Sequence, residues 1–260
     1  MHPVILQVSS FTIYSWGLMI AVGFELAILY FFFSIKKEQL PLNFILNLII
    51  GIIVFSIVGA RILHVLMHLP YYMLYPLRII RLWEGGMTLQ GGLIFSISFS
   101  IYYIKTHHLP LDKIADCAAP AIAFGFSVGR IGCFLNGCCY GVPSSFGFVF
   151  PRGSPAGEFF SGQTLFPTQL ISSLNLLIMG IVLHLLRKKN MARAKLLPLF
   201  LILYSVHRFL IEFLRGDTFP VAFNLTSFQI ISIILALFSF IWWKTGLRFS
   251  YFFLAKKKKT

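Results

Sequence analysis

The sequence predicts an all-α, polytopic integral membrane protein of about seven transmembrane helices with a small extracytoplasmic cap. Three observations predict it. Hydrophobic residues make up 58% of the 260 positions and charged residues only 12%, with a mean hydropathy of +0.84; a soluble domain is nearer half apolar and about a quarter charged. Seven runs approach the roughly 20 apolar residues that a helix needs to cross the hydrocarbon. The basic residues between those runs also gather on one side of the resulting frame.

In order, the runs are residues 11–35, 44–67, 89–104, 114–135, 167–186, 196–214 and 227–243. Lys36 and Lys37 follow the first run, Lys105 and Lys113 flank the connection after the third, and Arg187, Lys188, Lys189, Arg193 and Lys195 fill the one after the fifth. Lys244, Arg248 and the lysine run 256–259 follow the seventh. Every lysine falls in these four regions, which share one face of a seven-span frame. By the positive-inside rule that face is cytoplasmic, so the amino terminus lies outside and the carboxyl terminus inside. The formal net charge of +14 is accounted for in this way, and nucleic acid is not an expected partner. The lysine run at the end suits anionic lipid.

Three connections face outward, 68–88, 136–166 and 215–226. The first carries Tyr71, Tyr72, Tyr75 and Trp83, as an interface belt does. The second is the longest. Loops of that length are usually functional or disordered, and its phenylalanines point to docking over the bilayer as a cap within a single transmembrane domain, residues 1–260. No repeat is visible, so an inverted-repeat transporter gains no support. No cleavable leader is evident, because the first run is long and lacks a basic start. Cys133, Cys138 and Cys139 cluster without C-x-x-C metal spacing, and no metal or cofactor is expected. They read as small apolar fillers, with a covalent nucleophile as the lesser alternative.

Residues 129–141 break the apolar pattern with an arginine, an asparagine, three thiols and four glycines. An ionisable group at membrane depth is costly and marks an interior or a functional cavity. Either the stretch is a tight helix crossing ended by a glycine turn, or it is a site for an anionic headgroup with Arg130 as its cation. At 1.5 Å per residue, Arg61 lies about 25 Å from the inner end of its span, and Arg130 and Glu212 about 24 Å from theirs. Arg208, Glu212 and Arg215 are spaced i, i+4 and i+7 and share one helix face, so Glu212 can pair with either arginine. Gln90 opens the third span at similar depth. Arginine suits a phosphate because its planar fork grips two oxygens and stays protonated. A structural ion-pair network would use the same residues. Glu25 sits closer to the inner face, outside this ring, and reads as structural. His64 and His207 adjoin the arginines and are either proton acceptors or helix–helix hydrogen bonders.

Taken together, these segments resemble the prolipoprotein diacylglyceryl transferase family over nearly the whole chain. The Gly129-Arg130-Ile131-Gly132 segment with Phe134, Asn136-Gly137 and Tyr140-Gly141 resembles its signature. Gly85-Gly86-Met87 with Gly91-Gly92-Leu93 resembles the glycine-rich entry to its third span, and Gly59-Ala60-Arg61-Ile62 its second-span motif. Pro167-Thr168-Gln169 resembles the opening of its fifth span, and Arg208-Phe209 with Glu212-Phe213 and Arg215 its sixth.

The resemblance implies transfer of a diacylglyceryl group from phosphatidylglycerol to the lipobox cysteine thiol of secreted prolipoproteins, releasing glycerol phosphate. The place implied is the outer face of the bacterial inner membrane. Implied partners are phosphatidylglycerol, prolipoprotein signal peptides and membrane lipid. Implied catalytic residues are Arg130, Arg215, Gln90 and Glu212, and implied substrate-binding residues are Arg130, Arg61, Arg208, Asn136, Gly137, Gly141 and Trp16. The chain departs from the family pattern in four places. Gln90 stands where the family commonly has histidine, and Trp16 precedes Gly17 where it has tyrosine. Cys133 and Cys138 replace asparagine and glutamate, and Ser172 or Ser173 replaces a fifth-span glutamate. A paralogue acting on another acceptor, or a non-catalytic phospholipid binder or transporter, is the alternative these changes leave open.

Overall fold

The structure, a computed structural model, describes residues 4–8, 11–189 and 194–245. It is a polytopic all-α membrane protein with four short strands among the described residues. The elements run β1 (Val4–Val8), β2 (Phe11–Tyr14), α1 (Ser15–Lys36), α2 (Leu42–Met67), α3 (Leu69–Leu74) and α4 (Leu89–Thr106). Then come α5 (Leu111–Asn136), β3 (Pro143–Val149), α6 (Pro155–Phe159), β4 (Thr164–Leu165), α7 (Thr168–Lys188), α8 (Leu196–Glu212) and α9 (Ser227–Thr245). Among the described residues, five helices are long and apolar enough to cross a membrane: α1, α2, α5, α7 and α9. A helix forms at each of the seven expected runs. However, α4 with 18 residues and α8 with 17 fall outside that set, so a count of seven spans is not established.

The first run needs a correction. Residues 11–14 are not helical but form β2, paired antiparallel to β1 with Val8 opposite Phe11 and Gln7 opposite Thr12. The segment is rich in β-branched Val4, Ile5, Val8, Thr12 and Ile13, which favour strands. A short apolar run does not by periodicity separate strand from helix.

The chain divides into two compact units, one from Ile35 to Leu111 and the other from the segments before and after it. In the smaller unit α2 and α4 cross with their backbones touching. A Cβ on Gly91 would lie 2.3 Å from the Gly59 carbonyl oxygen, and one on Gly59 would lie 2.6 Å from that of Gly91. Small residues allow this approach where lipid offers no hydrophobic drive. Thr88 N–H donates to the Ala60 carbonyl at 3.1 Å and fixes the start of α4 beside that crossing. The connection 68–88 holds α3 and two short 3-10 turns, Pro76–Ile80 and Leu82–Glu84.

In the larger unit α5 is central. It meets α1 through Gly125 and Gly23, where a Cβ on either would come within 2.8 Å of the other's carbonyl oxygen. It meets α7 and α8 through a core of Ala119, Ala123, Leu176, Leu183 and Phe200. The Asp116 carboxylate of α5 accepts the backbone N–H groups of Ala194 (2.6 Å) and Leu196 (2.9 Å). A carboxylate there satisfies orphan donors and complements the positive end of α8. In the connection 136–166, β3 pairs with β4. Ser154 caps α6 by accepting from Gly157 N–H at 3.1 Å. Tyr140, Phe150, Ala156 and Leu165 form a small core against Phe134 at the end of α5.

Candidate active site

The residues 133–141 turn on a specific way of ending a helix. Cys138 N–H donates to the Cys133 carbonyl (3.1 Å) and Gly137 N–H to that of Phe134 (3.2 Å), the paired bonds of a Schellman close. Gly137 takes φ +75°, which glycine adopts without steric cost. Its carbonyl accepts from Ala156 N–H at 2.9 Å, so α6 rests on the turn. Cys139 also takes a positive φ, +56°, uncommon for a residue with a side chain. The start of α7 holds it there: Thr168 Oγ1 donates to the Cys139 carbonyl (2.7 Å) and Gln169 Nε2 to the Cys138 carbonyl (2.9 Å). The Pro-Thr-Gln motif is a buttress for the cysteine turn.

Beyond the turn the chain runs between two others. Gly141 N–H donates to Phe166 O (3.2 Å), Val142 N–H to Leu214 O (3.0 Å) and Gly216 N–H to Tyr140 O (3.0 Å). Gly141 bridges Arg215 in antiparallel fashion. A Cβ on Gly141 would stand 2.5 Å from Phe166 O and 2.9 Å from Leu214 O, both backbone atoms, so glycine is required. These bonds set Arg215 beside the end of α5.

The charges form one cluster in this unit. Arg208 Nη2 lies 3.0 Å from Glu212 Oε2, and Arg215 Nη1 lies 3.8 Å from the same oxygen. These Oε2 contacts are ionic without hydrogen-bond alignment, whereas Oε1 accepts from Thr226 Oγ1 at 3.0 Å. Thr226 and Gln229 form a reciprocal capping box that starts α9. Arg215 is held by Asp217 through two parallel bonds, Nε to Oδ1 and Nη2 to Oδ2, both 2.8 Å. Burial works against the charge on Arg215, but the Asp217 bonds and nearby acidic groups outweigh it and hold the guanidinium above its ordinary pKa. Arg208 also stacks on Phe228, 4.3 Å from the ring centroid.

Arg130 differs from both. Among the described residues it makes no ion pair and no hydrogen bond, yet it is within Coulombic reach of Tyr204, Cys139, Cys133 and Arg215. Three guanidiniums therefore share two carboxylates, and the unmatched positive charge sits on Arg130. His207 is buried on α8 and its Nδ1 takes the Asn175 amide at 3.1 Å. With the amide donating, the free lone pair of a neutral ring is used there. Asn136 ends α5, half-buried. Trp16, the second residue of α1, has an exposed side chain, while its carbonyl oxygen and Met19 approach Gly132.

Arg61 and Gln90 belong to the smaller unit. Arg61 is buried, and all five of its donors go to backbone carbonyls: Nε to Ile79, Nη1 to Gly85 and Gly86, and Nη2 to Arg78 and Arg81. Arg61, expected to bind substrate, commits its guanidinium in this way to the connection before α4, which leaves no donor for a phosphate in this conformation. It shapes a cavity of about 350 Å³ lined also by His64, Tyr72, Arg78, Glu84 and Gly86. Gln90 is exposed on the first turn of α4.

Sequence reasoning missed Asp217 and Thr226, which complete the charge cluster. Both lie in or beside a connection where spacing along a helix gives no guide. It also missed the convergence of the three thiols, since the turn rather than a metal-type spacing brings them together.

A family model described as prolipoprotein diacylglyceryl transferase matches residues 3–245. A phosphatidylglycerol–prolipoprotein diacylglyceryl transferase of Bacillus licheniformis is 33% identical over 241 residues, 91% of this chain and 89% of that protein. Proteins of the same name from Geobacillus kaustophilus and Staphylococcus aureus are 32% identical over 244 residues and 30% over 241. Coverage is 92% and 91% of this chain, and 90% and 86% of theirs.

Proposed function

This chain belongs to the prolipoprotein diacylglyceryl transferase family, and from that premise we propose that it transfers a diacylglyceryl group from phosphatidylglycerol to the cysteine thiol of a prolipoprotein lipobox, releasing glycerol phosphate. The observation that carries the reading is the guanidinium of Arg130, unpaired among the described residues, beside an Arg208–Glu212–Arg215–Asp217 network. A positive charge left without a protein partner in a low-dielectric setting is a standing demand for an anion.

The reaction exchanges a C–O bond for a C–S bond. The acceptor thiol gives up its proton, its sulfur attacks the glyceryl methylene that carries the phosphate, and the glycerol phosphate leaves with the bonding pair. Negative charge grows on the departing phosphate oxygens. Arg130 takes two of those oxygens in its fork, where the interaction strengthens as the bond breaks. Arg215 supports it from the bridged strand, its own fork fixed by Asp217 and its second edge facing Glu212. Arg208 acts through Glu212 and is a positioning residue. Gly137 and Gly141 set the backbone that brings Arg130 and Arg215 together, and Asn136 and Trp16 line the approach. Arg61 shapes the connection before α4, and Gln90, implied as catalytic by the family resemblance, opens that helix with an amide that accepts no proton.

The site faces the outer side of the bacterial inner membrane, with the amino terminus outside and the carboxyl terminus in the cytoplasm. The lysine distribution supports this orientation. Residues 136–166 cap that face.

Complementation tests the reading. A bacterium depleted of its own transferase should regain growth and lipoprotein maturation when it expresses this chain. Expression at the membrane without maturation of any lipoprotein would count against the activity. Gln90→His, run in parallel, should raise maturation only if an imidazole at that position serves as proton acceptor.

A further inference from the structure

Cys133, Cys138 and Cys139 present their three Sγ atoms within 4.8 Å of one another, all half-buried and all free thiols. Two sulfurs bound to one ion at the zinc–thiolate distance of about 2.3 Å lie about 3.8–4.0 Å apart. Small side-chain rotations therefore close this triangle on a single ion. We infer that these three thiols form a binding site for one thiophilic d10 metal ion, Zn²⁺ or Cu⁺, with a fourth position open. Soft thiolate sets select these ions over hard cations.

Three independent features of the turn support the site. The Schellman close places Cys138 against the helix end that carries Cys133, with Cys138 Sγ 3.7 Å from the Cys133 carbonyl oxygen. The positive φ of Cys139 is a backbone cost, and such costs collect where function over-determines the conformation. Thr168 and Gln169 hold the two adjacent cysteine carbonyls from another helix, so the backbone that carries Cys138 and Cys139 is set without the ion. Charge also fits. Three thiolates around a divalent ion leave one negative charge, around a monovalent ion two, and Arg130 and Arg215 both lie within Coulombic reach of Cys139. The occupant would join the phosphate-side arginines to the end of α5, beside the reacting groups. Its binding is read without turnover, so failure here leaves the transferase reading untouched.

The test uses full-length protein purified in detergent, reduced, stripped with chelator and kept anaerobic. Titration with Cd²⁺ alone, a spectroscopically visible stand-in for Zn²⁺, should produce sulfur-to-metal charge-transfer absorption that saturates at one ion per chain. Cu⁺ should displace it, and Zn²⁺ in excess should compete for the same site. Cys133→Ser and Cys138→Ser should each weaken binding by more than about a hundredfold, beyond the cost of losing an outer-shell partner. Cys117→Ser, at a buried position elsewhere on α5, should change nothing. Gln169→Leu, which frees the Cys138 carbonyl but keeps all three thiols, should weaken binding about tenfold. Helix content and elution profile confirm that each variant is folded. The proposal is overturned if wild-type protein with three alkylatable thiols takes up no ion. It is equally overturned if the Cys133→Ser variant binds Cd²⁺ as tightly as wild type does.

Discussion

Arg130→Ala is expected to reduce transfer by about a thousandfold while leaving the protein at least as stable as wild type. The activity figure follows from the role. Removing one preorganised donor aimed at developing negative charge typically costs on the order of 10²–10³ in turnover, and a phosphate-binding arginine can be worth more. The stability figure follows from the geometry. Arg130 has no carboxylate partner and no hydrogen bond among the described residues. Its removal therefore breaks no ion pair or hydrogen bond among the described residues, and it relieves a repulsion with Arg215. A group that costs stability and supplies activity is the usual mark of a functional site. Arg130→Lys should recover only a small part of the rate, because an ammonium keeps the charge but loses the two-pronged grip. Initial rates in phosphatidylglycerol vesicles, paired with thermal unfolding in detergent, separate the two effects. Loss of rate accompanied by an equal loss of stability would mean that Arg130 is a strut.

Glu212→Ala should do the opposite and act first on the fold. The Glu212 side chain is fully buried, and those of Arg208 and Arg215 are each 8% exposed. Taking away the shared carboxylate leaves two guanidiniums buried with one compensating group, Asp217, which serves Arg215 alone. Breaking a buried pair by removing one partner costs about 3–5 kcal/mol, chiefly because the remaining charge stays desolvated. For a chain of this size that lowers the unfolding midpoint by on the order of 10 °C. Thr226 also loses the acceptor of its hydroxyl, which loosens the junction of α8 and α9. A paired replacement, Glu212→Leu with Arg208→Met, should recover much of the stability, since apolar residues of similar volume often substitute for a buried ion pair without penalty. It should not recover activity, because Arg215 would still lack its second anchor. Unfolding curves for the single and double variants check both statements.

The sequence made the helices legible because apolar run length is a strong signal in a membrane protein. The i, i+4 spacing of Arg208 and Glu212 likewise anticipated their contact at 3.0 Å, but Arg215 does not share that helix face: α8 ends at Glu212, and Arg215 reaches the same oxygen at 3.8 Å from the strand bridged to Gly141. What escaped was everything set by backbone returning on itself. Residues 11–14 look like the start of a helix by hydropathy and pair instead with β1. Arg61 carries a charge at a plausible depth, but a sequence does not reveal that five carbonyls from 78 to 86 converge on it. Asp217 reaches Arg215 from two residues away in a connection, where no periodicity applies. The three thiols look like fillers until the glycine-ended close of α5 folds Cys138 and Cys139 back over Cys133.

The most direct measurement combines the purified chain with phosphatidylglycerol vesicles and a synthetic lipobox peptide, and follows peptide mass and free glycerol phosphate together. The account predicts a diacylglyceryl adduct on the peptide cysteine with one glycerol phosphate released per adduct, both lost in Arg130→Ala and both retained in Cys117→Ser. Consumption of phosphatidylglycerol with the peptide unmodified, or adduct formation undiminished in Arg130→Ala, would contradict it.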